Sequence, residues 1–174
     1  MDKLTQLAIK YGTDKWGKHH YTPVYYDLFK DRRESVKKVL EIGVGEGAGL
    51  RMWRDFFPNA QIYGAENDPA RLFRDNRIEV FECDQTDGNS LRWVIAKIGF
   101  DIDLVIDDGS HRPTDQIFSC VTLMEWLLGN TIYVIEDVAD AAIAEKLAYY
   151  DCSLIVANTK RYDDSLLVVR HKNG

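Results

Sequence analysis

Cysteine is scarce in this chain, and the three present (Cys83, Cys120 and Cys152) lie far apart. An odd, scattered set excludes a disulfide framework, and no pair has the spacing of a metal-binding motif, so a reducing, cytoplasmic setting is expected. No apolar run is long enough to cross a bilayer. The polar start Met1-Asp2-Lys3-Leu4-Thr5-Gln6 does not read as a signal peptide. Positive charge is also in short supply. Lysine and arginine number 22 against 28 aspartates and glutamates, for a net charge of -6. That balance excludes a general nucleic-acid or anionic-membrane binder, which needs a basic excess to meet phosphates. The local cluster Lys30, Arg32, Arg33, Lys37, Lys38 is offset by Asp31 and Glu34 and reads as a solvated face. Internal repeats and low-complexity stretches are absent.

What is present is an ordinary globular composition: 174 residues, 45% hydrophobic and 29% charged, enough for one domain with a full core. Leu4, Leu7, Ala8 and Tyr11 recur at helical spacing. A loop rich in large polar groups follows from Gly12 to Tyr21. Thr22-Pro23 reads as an N-cap with proline at the first helical position, leading a helix toward Phe29. From Val36 onward strands and helices alternate. The expected strands are 38–43, 61–66, 78–82, 103–107, 131–136, 153–158 and 165–170. The expected helices are 49–57, 69–75, 89–98, 113–128 and 139–149. The helix from Pro113 is expected to bury Ile117, Val121, Met124 and Leu128, and to stop at Gly129-Asn130. Alternation predicts parallel strands with helices on both faces. The last two strands are separated only by 159–164, too short for a crossover helix, so they pair antiparallel. The fold class is therefore α/β: a Rossmann-like three-layer sandwich on a seven-stranded, mostly parallel sheet with an antiparallel C-terminal hairpin.

The stretch Val39-Leu40-Glu41-Ile42-Gly43-Val44-Gly45-Glu46-Gly47 reads as strand, glycine turn and helix start. Glycines there allow a tight turn and let a ligand lie against bare backbone. In such sheets, ligands bind beyond the carboxyl ends of the strands. Glu66, at the tip of the second strand, is placed to hold a ribose diol. Asp84, at the tip of the third, can accept from an exocyclic amine or serve as plain turn chemistry. The fourth strand ends Asp107-Asp108-Gly109-Ser110-His111 and the fifth Glu136-Asp137. Two acidic pairs at neighbouring strand ends repel one another unless a cation intervenes. Carboxylate donors suit Mg²⁺, Mn²⁺ or Ca²⁺ better than Zn²⁺. His111, in the same loop, has the chemistry of a general base toward a hydroxyl.

The glycine loop, Glu66, Asp84 and the closing hairpin resemble the class I S-adenosylmethionine-dependent methyltransferases. More narrowly, Gly12-Thr13-Asp14-Lys15, His20-Tyr21-Thr22-Pro23-Val24-Tyr25, Asp107-Asp108-Gly109-Ser110-His111 and Glu136-Asp137-Val138 resemble the metal-dependent macrolide-sugar O-methyltransferases. Those are of the mycinamicin and tylosin type, with the cephalosporin-pathway methylation protein as a related member. The resemblance implies S-adenosylmethionine contacts from Thr13, Tyr21, Glu41, Gly43, Gly45, Glu66, Asp84 and Asp107. It implies a Mg²⁺ or other hard cation on Asp108, Glu136 and Asp137, with His111 as the base. It also implies a helical and loop cap at 1–35 on a methyltransferase domain at 36–174, the whole forming one compact unit. No long insertion is present that would form a lid. The expected partner is a small-molecule hydroxyl acceptor, a sugar or glycosylated natural product. No nucleic-acid or membrane partner is expected, and homo-oligomerisation is left open. Three alternatives remain at this level: a catechol or phenol acceptor, a NAD-binding oxidoreductase, and a silent cofactor-binding subunit.

Overall fold

Short apolar runs bounded by turn residues set the centre of the molecule, because strands covered on both faces read as continuous Val/Ile/Leu. The computed structural model describes residues 1–157 and 163–172. Its parallel strands are β1 (Lys38–Ile42), β2 (Gln61–Glu66), β4 (Ile78–Glu82), β5 (Leu104–Asp107) and β6 (Ile132–Ile135). The sheet closes with β8 (Ser165–Arg170), antiparallel to both β6 and β7 (Asp151–Val156). With Arg74–Asp75 as β3, the order is β3-β4-β2-β1-β5-β6-β8-β7. Strand order reverses between β1 and β5, which makes their carboxyl ends the switch point. The antiparallel ending follows the sequence reading, with β8 inserted between β6 and β7. Residue 158, part of the expected strand 153–158, and most of the 159–164 connection lie outside the described residues.

Successive strand side chains point to opposite faces. Val39, Leu104, Ile106 and Val134 enter one core with Leu50, Trp53, Phe56, Tyr25 and Phe29, which come from α3 (Ala48–Phe56) and α2 (Thr22–Phe29). α1 (Lys3–Tyr11) adds Leu4 and Ala8 to that layer. Leu40, Ile42, Val105 and Tyr133 enter the other core with α4 (Gly88–Ile98) and α5 (Pro113–Met124). Each fully buried large apolar side chain contributes about 1.5–3 kcal/mol. The three layers are thus helix, sheet, helix.

Five details depart from the sequence reading. The sheet has eight strands rather than seven, because Arg74–Asp75 forms a short exposed edge strand, β3, antiparallel to β4. The expected helix 69–75 is only a 3₁₀ turn at Pro69–Arg71, capped by Asp68, whose side chain accepts from Ala70 N at 3.0 Å. Helix 139–149 shrinks to α6 (Ile143–Lys146). α5 ends at Met124 and is rotated from the expected stripe. Cys120, Leu123 and Met124 are buried whereas Val121 and Leu128 are exposed. The rotation turns Gln116 and Ser119 inward, where each bonds to the acidic strand ends described below. At the start of α2 the cap position is Tyr21 rather than Thr22, and the Thr22 hydroxyl pairs with that of Thr5 at 2.7 Å.

Candidate active site

β1 runs out into glycines that the backbone requires. Gly43 has φ +84, and a Cβ there would lie 2.1 Å from the Asp108 carbonyl oxygen. The turn after β1 and the turn after β5 therefore touch main chain to main chain, and only glycine permits the contact. Gly45 (φ +53) faces open space. A cleft of about 520 Å³ lies over these glycines. Thr13, Glu41, Gly43, Gly45, Glu66 and Asp84 all line it. Glu66 Oε2 accepts from the N–H of Val44 (3.0 Å) and of Gly45 (3.1 Å), and its Oε1 from Asp68 N (3.0 Å), so this carboxylate also braces the glycine turn. Asp84 accepts from the Thr86 hydroxyl and N–H, which hold its carboxyl below the usual range.

Two of the residues expected at the cofactor do not line the cleft. Asp107 is wholly buried beneath it, accepting from Gln85 Nε2 at 2.7 Å, Tyr133 Oη at 2.9 Å and the Ser119 hydroxyl. Burial pushes its carboxyl up to about 6 against those three donors. Gln85 continues the chain, accepting from Ser110 N at 2.9 Å. Asp107 thus fixes the loop that carries Asp108 and His111. Tyr21 is buried, and its hydroxyl donates to Asp137 Oδ1 at 2.6 Å. That position serves the acidic centre rather than the cleft.

The acidic strand ends meet around a lysine that sequence reasoning did not single out as a functional group. Lys15 Nζ lies 3.1 Å from Glu41 Oε1, 2.8 Å from Asp108 Oδ2 and 2.7 Å from Glu136 Oε2. Burial alone would lower the Lys15 pKa, but the carboxylates of Asp108, Glu136 and Glu41 outweigh it and raise it. Burial raises Glu41 and Glu136 in turn, with Lys15 opposing that shift in each. Glu136 is further tied by the Tyr25 hydroxyl at 2.6 Å, and its main-chain carbonyl by Gln116 at 2.9 Å. One ammonium against three carboxylates leaves the centre short of positive charge. The only sequence signal for Lys15 was indirect: a cluster of acids demands a cation from somewhere.

Asp108, His111 and Asp137 each present one ligand atom within 4.8 Å of the others. His111 Nδ1 lies 3.2 Å from Asp137 Oδ2. His111 (φ 56) and Asp137 (φ 52) both hold left-handed backbone, a costly conformation found where surrounding structure imposes it. The donor set fits a hard or borderline divalent cation. Of the three residues expected to ligate metal, Asp108 and Asp137 fall in this cluster, whereas Glu136 faces Lys15 and Tyr25. His19 stands behind Asp137, its Nε2 3.5 Å from Asp137 Oδ1 and its Nδ1 3.0 Å from the buried Asp164.

No protein-family model matches the chain. It is 38% identical over 141 residues to the 8-demethyl-8-alpha-L-rhamnosyl tetracenomycin-C 2'-O-methyltransferase of Streptomyces olivaceus, a match covering 77% of this chain and 37% of that protein. It is also 38% identical over 142 residues to the mycinamicin VI 2''-O-methyltransferase of Micromonospora griseorubida, covering 77% and 35%. The chain thus spans a little over a third of the length of these curated relatives. The solved structure of the MycE methyltransferase from the mycinamycin biosynthetic pathway, in complex with Mg and SAH, matches with a TM-score of 0.78 at 29% identity. That match covers 98% of this chain and 55% of the other. By topology, switch-point cleft and these likenesses, the chain belongs to the class I S-adenosylmethionine-dependent methyltransferase fold family and resembles the sugar O-methyltransferases within it.

Proposed function

We propose that the chain binds S-adenosylmethionine in the glycine-floored cleft and, with a divalent cation, methylates a hydroxyl of a sugar or sugar-bearing natural product. One observation carries the reading: Asp108 both lines the cleft and belongs to the Asp108–His111–Asp137 cluster, so cofactor and acceptor sites share a wall. The relatives named for methylation of rhamnosyl tetracenomycin and mycinamicin VI support the acceptor class.

Asp108, Asp137 and Glu136 are the residues that would hold the cation, with Asp137 oriented by Tyr21. A bound divalent cation lowers the pKa of a hydroxyl that it coordinates. His111 is the proton acceptor of the reading. His111 Nδ1 lies 3.2 Å from Asp137 Oδ2 and its side chain is half-exposed, so a carboxylate beside Nδ1 favours the tautomer that carries its proton there and leaves the Nε2 lone pair for the acceptor. Glu66 is placed for the ribose, and Gly43 and Gly45 offer bare main chain to the nucleoside. A sulfonium leaves without protonation, so no acid is required of the cleft.

The test is methyl transfer from labelled S-adenosylmethionine to a panel of rhamnosylated aromatic and macrolide polyketides, read by mass spectrometry. Activity is expected to vanish in chelator and return with Mg²⁺. His111→Ala is expected to bind S-adenosylhomocysteine like the parent yet lose about 10²–10⁴ in turnover. Full activity in chelator would overturn the metal role, and unimpaired His111→Ala would overturn the base. A melting temperature raised by NAD⁺ but not by S-adenosylhomocysteine would instead favour the oxidoreductase.

A further inference from the structure

Among the described residues, Lys15 is the only lysine withdrawn from solvent, and its side chain is 1% exposed. An ammonium has three N–H donors, and here three carboxylates surround it: Glu41 within β1, Asp108 after β5 and Glu136 after β6. The N-terminal loop is shaped to deliver it. The Lys15 carbonyl accepts from the N–H of Tyr21 (3.1 Å) and Thr22 (3.4 Å), which folds the loop back and drives the side chain inward. Two of its partners, Asp108 and Glu136, are carboxylates that the proposed reading gives to the cation. A fixed positive charge there does two things at once. It satisfies buried acids that would otherwise repel, and it opposes entry of a second cation.

We propose that Lys15 is the resident counter-ion of the carboxylate centre, holding Glu41, Asp108 and Glu136 together without metal and competing with a divalent cation for Asp108 and Glu136. The inference rests on the metal-dependent reading above. Its consequence is that metal affinity is set by a side chain of the loop that also walls the cofactor cleft, through Gly12, Thr13 and Asp14.

The experiment is Mn²⁺ binding to the full chain in the absence of cofactor, followed by electron paramagnetic resonance, for the parent, Lys15→Met and Lys15→Arg. Lys15→Met is expected to bind Mn²⁺ at least about tenfold tighter, since one opposing charge at contact distance is removed. Lys15→Arg keeps the charge and is expected to stay near the parent value. Saturating Mn²⁺ is expected to raise the melting temperature of Lys15→Met more than that of the parent. A Lys15→Met protein that folds only with Mn²⁺ supports the same conclusion. Should it fold in neither condition, Lys15→Gln, which retains an N–H donor without the charge, decides on the same criterion. Equal or weaker Mn²⁺ affinity in a folded neutral variant overturns the counter-ion role alone. Absence of Mn²⁺ and Mg²⁺ binding in every protein, with S-adenosylhomocysteine still bound, overturns the metal-dependent reading and this inference with it.

Discussion

Tyr21 shows how a single hydroxyl separates the two halves of the site. The sequence resemblance assigns it to the cofactor, but its ring is buried and stacked on His19, with centroids 4.7 Å apart, and its hydroxyl reaches Asp137. The same hydroxyl oxygen accepts from Asp137 N at 3.3 Å, so it fixes both the carboxylate and its strained backbone. Burial and the adjacent Asp137 carboxylate raise the phenol pKa, so it remains a donor at any working pH. Groups behind a metal ligand orient it, and their loss typically costs 10–100-fold in metal affinity. Tyr21→Phe is therefore expected to weaken Mn²⁺ or Mg²⁺ binding by about that factor while S-adenosylhomocysteine affinity, measured by calorimetry, stays level. Lost nucleoside affinity with intact metal binding would return Tyr21 to the cofactor.

At the scale of elements, the contact between α1 and α3 is fastened at their carboxyl ends by Asp55. It accepts from Lys10 Nζ at 2.9 Å, Arg54 Nε at 3.1 Å and the Tyr11 hydroxyl. Burial would push this carboxyl up, but the donors outweigh it and hold it at about 2. A folded-state value below the ordinary 3.8 means stabilisation that is present above about pH 4 and lost as pH falls through 2. Asp55 is about a quarter exposed, so solvent screening limits the worth of the cluster to about 1–2 kcal/mol. Asp55→Asn is expected to lower stability by that amount at pH 7 in urea unfolding, with the gap closing between pH 4 and pH 2. A gap that stays constant with pH would mean the loss is packing rather than charge. The elements themselves were unevenly legible in the sequence. The parallel strands stood out because burial on both faces makes them continuous apolar runs. β3 did not, since Arg74-Asp75 at an edge carries no apolar signal. Residues 139–149 have good helix formers, yet the chain descends from Asp137 in left-handed backbone and buries only Ile143 and Leu147 fully, so a single turn remains helical. The rotation of α5 is not legible in a hydrophobic pattern, because its buried Gln116 and Ser119 serve hydrogen bonds.

For the whole molecule, the strand-end acids were readable because topology delivers every parallel strand's carboxyl end to one edge. Lys15 was not, because its role exists only once the N-terminal loop closes over three separate strands. That same closure decides whether residues 1–35 are a detachable cap. Tyr25 and Phe29 are fully buried against Trp53, Phe56 and Phe57, with ring centroids of Tyr25 and Trp53 4.9 Å apart. Removing the segment strips α1 and α2 from one sheet face and from α3, and takes Lys15 from Glu41 and Glu136 and Tyr25 from Glu136. Leaving buried charges without their partner costs about 3–5 kcal/mol before any lost apolar burial is counted. Domains of this size hold only about 5–15 kcal/mol in total. A chain beginning at Val36 is therefore expected to show no cooperative unfolding transition by circular dichroism and to bind a hydrophobic dye at neutral pH. A sharp transition together with retained S-adenosylhomocysteine binding would show instead that the sheet and its second helical layer stand alone, and that the loop carrying Lys15 is an addition to a finished fold.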